Sequence, residues 1–339
     1  MKWSIGLVIL CFSSSPVIGQ RIDSVRSTHI HSYSDYFFLG PVIKNRNLQF
    51  EVESQTTPNV IKFQPNSSYN IGFGVNVFDV GLEVSYSVPI DIQSQERYGT
   101  TTSSDFMINS IARSWAADVY HQKYQGFYYT YTGQTISNGQ PYPQRPDLVT
   151  RNMGVSFTYI FNNKKFSMRS AYTFTERQKK SKGSPLFSYI FSSFTLNADS
   201  AIVNSTEIPS ITTPVEDTQF TSLGIAPGYS YTFVYKNFFL NGTIVIGPAH
   251  YWIQYKLEDG NFRYDIRINT FSVGRIGIGY NGQRFYGGMN FSAQGREVKF
   301  EDLVFRNSIN TFRLVLGYRF LERGFMKERA VDHIPVQIK

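Results

Sequence analysis

Acid–base or metal chemistry at neutral pH would fall to five histidines, and they are scattered: His29, His31, His121, His250 and His333. Hydrolysis needs a nucleophile within reach of a base. His31 stands beside Ser32, but both precede the first expected strand. His250 follows Gly247-Pro248 near a strand end, and no serine stands at a matching spacing on that strand. His29-x-His31 offers only a pair of metal ligands. The single cysteine, Cys11, falls in the N-terminal apolar run, which excludes thiol catalysis, thiolate metal sites and disulfides from the rest of the chain. Gly274, Gly277 and Gly279 precede no helix that would cradle a phosphate. No catalytic residue, metal or cofactor is assigned.

The remaining polar residues obey a period of two. Tyr69, Ile71, Phe73, Val75 and Val77 alternate with Asn70, Gly72, Gly74 and Asn76. After Phe78-Asp79 the phase flips, and Val80, Leu82, Val84, Tyr86 and Val88 alternate with Gly81, Glu83, Ser85 and Ser87. Such alternation puts one set on each face of a strand. The polar face is small and carries little charge, as a lumen requires. The expected fold is all-β: a transmembrane antiparallel β-barrel of about twelve strands, range about 10–14, with short periplasmic turns and long extracellular loops. On these phases the lumen receives Glu83, Asp118, Gln122, Arg169, Arg275 and Arg313. Asp118, Gln122 and Arg169 would form a polar constriction or binding site. The plainer alternative is a structural ion-pair plug, because charges in a narrow lumen must pair or be solvated.

Composition supports a barrel. Aromatics reach 16%, with 23 Tyr and 29 Phe, which interfacial girdles explain better than a packed core. Mean hydropathy is −0.25, as expected when only alternate residues meet lipid, and beyond the N-terminus no apolar run is long enough for a spanning helix. Residues 1–19 read as a secretory signal: Lys2, an apolar core from Trp3 to Phe12, and an exit at Val17-Ile18-Gly19. Residues 20–46 read as a periplasmic or lumen-inserted segment, 47–320 as the barrel and 321–339 as a periplasmic tail. Strands are expected near 48–64, 69–78, 80–88, 105–112, 115–129, 150–161, 165–176, 219–235, 238–248, 271–280, 284–293 and 308–320. An even count requires Leu186–Leu196 to sit in the long excursion 177–218 rather than in the wall. The pre-barrel segment is too short for the plug domain of a TonB-type importer.

The net charge of +8 fits anionic lipid headgroups and lipopolysaccharide phosphates, not nucleic acid, in an exported protein. Arg177, Lys179, Lys180 and Lys182 form a cationic run that would grip phosphate from an external loop or fold inward as a lumen gate; a solvated loop is the plain alternative. Gly126-Phe-Tyr-Tyr129 would belong to the outer aromatic girdle. Phe320 closes an alternating last strand, the kind of signal read by barrel-assembly machinery.

Two stretches carry a family resemblance: Asp118-Val-Tyr-His-Gln-Lys-Tyr-Gln-Gly-Phe-Tyr128, and Tyr159 to Tyr172 continuing through Glu176-Arg-Gln-Lys-Lys-Ser-Lys-Gly-Ser184. They resemble the uncharacterised Bacteroidetes outer-membrane family catalogued as domain of unknown function 4421, over about Ser32 to Phe320. The resemblance implies an outer-membrane barrel and transfers no catalytic residue. The expected role is a narrow, non-catalytic pore or ligand-binding barrel for small polar or amphipathic solutes in the cell outer membrane. The alternatives are a lipid-active hydrolase with His250 as base, and a structural barrel that binds lipopolysaccharide or a partner. Oligomeric state is left open.

Overall fold

The computed structural model describes residues 24–33, 36–57, 59–77, 80–137, 139–203 and 214–321. The signal segment and the tail after Leu321 lie outside the described residues. No helix among the described residues is long and apolar enough to cross a membrane.

In chain order the elements are α1 (Ser24–His29), β1 (Ile30–Ser32), β2 (Tyr36–Ser54), β3 (Val60–Gln64), β4 (Asn70–Val77), β5 (Val80–Ser87), α2 (Ile92–Tyr98), β6 (Thr102–Ile111), β7 (Trp115–Tyr131), β8 (Gln144–Ile160), α3 (Arg169–Tyr172), β9 (Glu176–Gln178), β10 (Lys182–Asn197), β11 (Val215–Tyr235), β12 (Phe238–Leu257), β13 (Phe262–Asn281), β14 (Phe285–Phe300) and β15 (Leu303–Leu321).

Ten strands close an antiparallel ring, β2–β3–β7–β8 followed by β10 to β15. The closing seam is β15 on β2, from Leu303 opposite Ser54 to Leu321 opposite Tyr36. Its faces invert those of a soluble sandwich. On β11 and β12, Ser230, Thr232 and Asn241 are fully buried, whereas Phe233 and Ile244 are 55% and 60% exposed. Outward positions on β8 and β10 to β13, Phe157, Phe191, Ile225, Ile246 and Ile276 among them, are apolar and exposed, so this wall is built to face hydrocarbon. Paired backbone is the only kind a lipid-facing wall tolerates.

The wall departs from regularity beside β3. That strand joins β2 to β7 only at the long-loop end. Toward the short-turn end β2 pairs with β4, β4 with β5, and β7 with β6. Among the described residues β5 and β6 do not pair with each other. A second split lies between β13 and β14, whose pairing stops at Phe271 opposite Arg296, so β13 runs on beside β12 alone.

Four expectations are corrected here: the single strand expected near 48–64 is the end of β2 and the antiparallel β3, joined by a turn. Residues 165–176 form no wall strand; they fold into the bore as a turn, α3 and the start of β9. Leu186–Leu196 belongs to β10, paired with β8 and β11 along its length, and this exchange restores an even ring. The barrel begins at Tyr36, earlier than position 47, so most of 36–46 is wall.

Gly126 carries a local switch. Its φ of 86° accompanies a register shift between Gln125 and Phe127, and a Cβ there would lie 2.4 Å from the Thr100 carbonyl oxygen. The shift turns Phe127 into the bore, where it is 3% exposed, rather than into a lipid-facing girdle. Tyr128 instead packs on Tyr98 and Tyr142, at 4.9 and 5.5 Å between ring centroids.

Rings close the bore at the long-loop end. Phe50 stacks on Phe63 at 4.6 Å and meets Phe305 at 5.5 Å; Phe305 meets Phe194 at 5.5 Å and Phe220 at 5.0 Å. Contacts between β10 and β15 cross the ring, so this layer blocks it from side to side. Replacing Phe50 by Ala should destabilise the barrel by about 3–5 kcal/mol, the usual cost of emptying a buried aromatic site. The check is the urea midpoint of the gel-mobility shift between unboiled and boiled samples.

Candidate functional site

Below the aromatic layer the inward positions of β7 repeat every second residue, which aligns Asp118, Tyr120, Gln122 and Tyr124 on one face. Asp118 accepts from Arg275 of β13 at 2.7 Å, from Ser156 at 3.1 Å and from Asn109 of β6. A carboxylate with a guanidinium and two neutral donors is well satisfied for a site that is 7% exposed. Gln122 accepts from Asn152 at 3.0 Å and reaches Asp105 at 3.4 Å. Nη1 of Arg46 of β2 donates to both carboxylate oxygens of Asp105 of β6, at 2.7 and 2.8 Å. Arg296, 6% exposed, donates to Asn152 and Asn307 at 3.3 Å each and to the Tyr120 hydroxyl.

These side chains surround a chamber with two lobes that meet at Ser156, Val273 and Arg275. One lobe carries Arg46, Asp118, Gln122 and Met107; the other carries Met168, Leu186, Ile190 and Val245 with Ser188 and Thr243. Their free volumes, 50 and 30 Å³, hold a few waters at about 10–15 Å³ each. That is a chamber, not an open channel.

The short-turn end is closed by the chain between β8 and β10 together with the N-terminal segment. β1 and β9 pair within it, with Ile30 opposite Gln178 and Ser32 opposite Glu176. Glu176, fully buried, accepts from Arg26 at 2.6 and 2.8 Å, Ser167 at 2.5 Å and Arg169 at 3.5 Å. Arg319 from the last strand anchors the plug. Its guanidinium donates to the carbonyls of Gly282 and Phe174, both at 2.6 Å, and to Asn281 Oδ1 at 2.7 Å. It lies 3.8 Å from the ring centre of Tyr33 and 4.7 Å from that of Tyr286, so aromatic faces take the place of a counter-ion.

The candidate residues therefore separate. Asp118, Gln122 and Arg275 share the chamber wall. Arg169 does not reach them; it belongs to the plug with Glu176 and Thr175, because its segment is no wall strand. Arg313 donates to the Tyr172 carbonyl at 3.4 Å, between chamber and plug. The Glu83 backbone pairs with Gly74, and its side chain lies outside the described residues. The cationic run sits at the short-turn end, not in a long loop. Arg177 donates to Asn237 at 3.0 Å and Lys179 to the Ser27 carbonyl at 2.9 Å, while Lys180 and Lys182 are exposed.

Arg46, Asp105, Arg296, Glu176 and Arg319 are the working residues that sequence reasoning missed. Arg46 and Asp105 lie on stretches where apolar residues occupy both faces or the strand is too polar to show a phase. His250 packs against Trp252 at 4.4 Å, and its Nδ1 makes no hydrogen bond among the described residues. It has no orienting acid there.

At the long-loop rim, Tyr255, Phe262, Arg263, Tyr264, Asp265, Arg267 and Glu301 line an open recess of 630 Å³. Glu301 accepts from Tyr255 and from Arg263, the latter at 2.9 Å, and so ties the free end of β13 to the β14–β15 turn. The hydrogen bond from Tyr255, and secondarily the Arg263 guanidinium, holds the Glu301 carboxyl below its usual range.

Apolar outside, polar and sealed inside, the ring defines a class: the transmembrane β-barrel with an internal plug. The model of the family described as "Domain of unknown function (DUF4421)" matches residues 21–320, and the chain belongs to that family. No curated protein matches. Similar solved structures include the outer membrane protease OmpT of Escherichia coli, at 9% identity over 85% of this chain and 98% of that one, with a TM-score of 0.40. Another is Ail, the attachment invasion locus protein of Yersinia pestis, at 10% identity over 84% and 99%, with a TM-score of 0.24. The translocator domain of autotransporter NalP from Neisseria meningitidis gives 8% identity over 83% and 88%, with a TM-score of 0.29. At these values the fold of this chain rests on its own strand pairing.

Two outcomes follow from the site. Asp118→Asn strands Arg275 and should cost about 3 kcal/mol, whereas Asp118→Asn with Arg275→Gln should cost less, since breaking one side of a buried pair is the costly step; urea midpoints of the two variants decide. For Glu301 the folded pKa is depressed, so its contribution is full above the unfolded value of about 4.3 and is lost as pH falls through the folded value. Amide protection factors at 258–270, corrected for the intrinsic exchange rate at each pH, should fall on acidification in the wild type, and Glu301→Gln should show the lowered protection already at neutral pH.

Proposed function

We propose that this protein is an outer-membrane barrel of Bacteroidetes type, exported by its N-terminal segment, that is closed at both ends and is not a standing pore. The long loops face the exterior, and the short turns and the plug face the periplasm. The observation that carries the reading is the chamber itself: one lobe charged, one lobe apolar, closed above by phenylalanine rings and below by the plug. A conduction path would need a continuous wet bore. The chamber has room for a few waters and none for a larger solute.

Purified folded barrel in planar bilayers should carry no steady current, and Phe50→Ala with Phe305→Ala should raise current events. Steady ohmic current from wild type overturns the reading.

A further inference from the structure

We propose that the free edge of β13, from Phe262 to Thr270, pairs antiparallel with the same edge of a second copy of this chain, so that barrels in two facing outer membranes join head to head. The proposal takes the outward placement of the long loops from the proposed function and is independent of whether the barrel conducts.

The first observation is the edge itself. β13 pairs with β12 from Phe262 to Tyr280, but with β14 only as far as Phe271 opposite Arg296. The amide of Ile266 donates to the Asp265 side chain at 2.7 Å, and so turns away from β12. Backbone groups alternate sides along a strand, so Tyr264, Ile266 and Ile268 offer their N–H and C=O groups to the outside of the sheet. The open recess of 630 Å³ lies against this edge and takes Phe262, Arg263, Tyr264, Asp265 and Arg267 from both faces of the strand. Among the described residues no strand pairs there. Such an edge is a template for another chain.

The second observation is its height. Level with the first unpaired residues, the outer faces of β14, β15 and β2 carry Glu297, Arg306 and Glu53, and Arg306 bonds both carboxylates. A charged outer face of this kind stands in water, beyond the hydrocarbon. Phe262, Tyr264, Ile266 and Ile268, on the outward face of β13, are 55–74% exposed. They form an apolar stripe where water, not acyl chains, meets it, and such a stripe marks a contact surface.

The third observation is that the edge complements itself. Its midpoint is Ile266. Antiparallel pairing of Ile266 with the partner's Ile266 sets Tyr264 opposite the partner's Ile268 and Asp265 opposite the partner's Arg267, and the two-fold axis repeats each pair. The apolar stripe becomes continuous across the seam, and two ion pairs flank its centre on the other face. Asp265 and Arg267 then occupy non-hydrogen-bonded positions, where facing side chains approach most closely. In the single chain Asp265 holds its own Ile266 amide and its own Arg267, the latter at 2.8 Å. In the pair it yields the amide to the partner's Ile266 carbonyl and turns to the partner's Arg267. Copies in one membrane run β13 in the same direction, which would set Asp265 beside the partner's Asp265 and forfeit both ion pairs. Only copies facing from opposite membranes meet antiparallel. Many such contacts between two membranes act together, so a weak single contact suffices.

The test uses the full folded chain in two colours of phosphatidylethanolamine–phosphatidylglycerol vesicles. Wild-type vesicles should cluster. Asp265→Arg and Arg267→Asp, each shown to be folded by the gel-mobility shift, should each cluster about tenfold less on their own, because two attractive cross-strand pairs become two repulsive ones. Mixed together, the two variants should cluster as wild type does, since each supplies the charges that the other lacks. Crosslinking checks the register. With Cys11→Ser, mild oxidation should join Ile266→Cys to itself, at a Cα separation of about 5.5 Å, and should join Tyr264→Cys to Ile268→Cys but not to itself. The proposal is overturned if wild-type vesicles stay apart, if the charge variants cluster as well as wild type, or if their mixture fails to recover. Disulfides formed only between copies within one vesicle overturn the facing arrangement. Protease cleavage in the 258–261 turn on intact cells checks the outward placement separately, and clustering without that cleavage overturns the contact between outer membranes.

Discussion

Everything in this molecule follows from the impossibility of leaving peptide groups unbonded in hydrocarbon. A sheet in lipid must close on itself, and closure by ten strands leaves a bore that is too narrow to ignore and too wide for wall side chains to fill everywhere. The chain fills it with itself. Rings from five strands, Phe50, Phe63, Phe194, Phe220 and Phe305, meet at one end, and the stretch between β8 and β10 turns back into the other. The alternation of the strands then needs no solvent on either side: lipid outside, packed protein inside.

Charge inside such a bore survives only where its partners are fixed. Asp118 with Arg275, Asp105 with Arg46 and Glu176 with Arg26 each place a carboxylate against a guanidinium from a distant strand or segment. Arg319 is solved differently, by two peptide carbonyls, an amide oxygen and the faces of Tyr33 and Tyr286. These contacts add specificity more than stability, since desolvation cancels much of the attraction. They fix which strand lies opposite which.

The strands with polar inner faces were legible because a period of two shows itself when the two faces differ. β11, the short-turn halves of β12 to β15 and the Asp118–Gln122 face of β7 are such stretches, whereas 249–257, 262–270, 294–300 and 303–307, expected as long connections, continue those strands. β2 hid because Phe37, Leu39 and Ile43 point outward while Phe38, Val42 and Leu48 point inward; apolar residues on both faces erase the alternation. Residues 165–176 imitated a strand because α3 and its flanks bury Phe166, Met168, Ala171 and Phe174 in the bore at spacings that pass for alternation. Leu186–Leu196 looked like loop only because the false strand had taken its place in the count. The mispairing of Arg169 with Asp118 followed from the same substitution. The β5–β6 gap was beyond any reading of periodicity, since both strands alternate and only three-dimensional pairing reveals that they do not meet.

Arg319 has a further consequence for how the barrel is assembled. It belongs to the last strand in chain order, which closes the ring on β2, and its acceptors come from the plug, the end of β13 and the β13–β14 turn. Slippage of β15 by a single residue on β2 would exchange its faces and throw the guanidinium out among acyl chains. A misregistered closure therefore carries an unbonded cation in oil, while the right one satisfies it at once. The final strand proofreads its own insertion, and the plug serves as the template against which the reading is made.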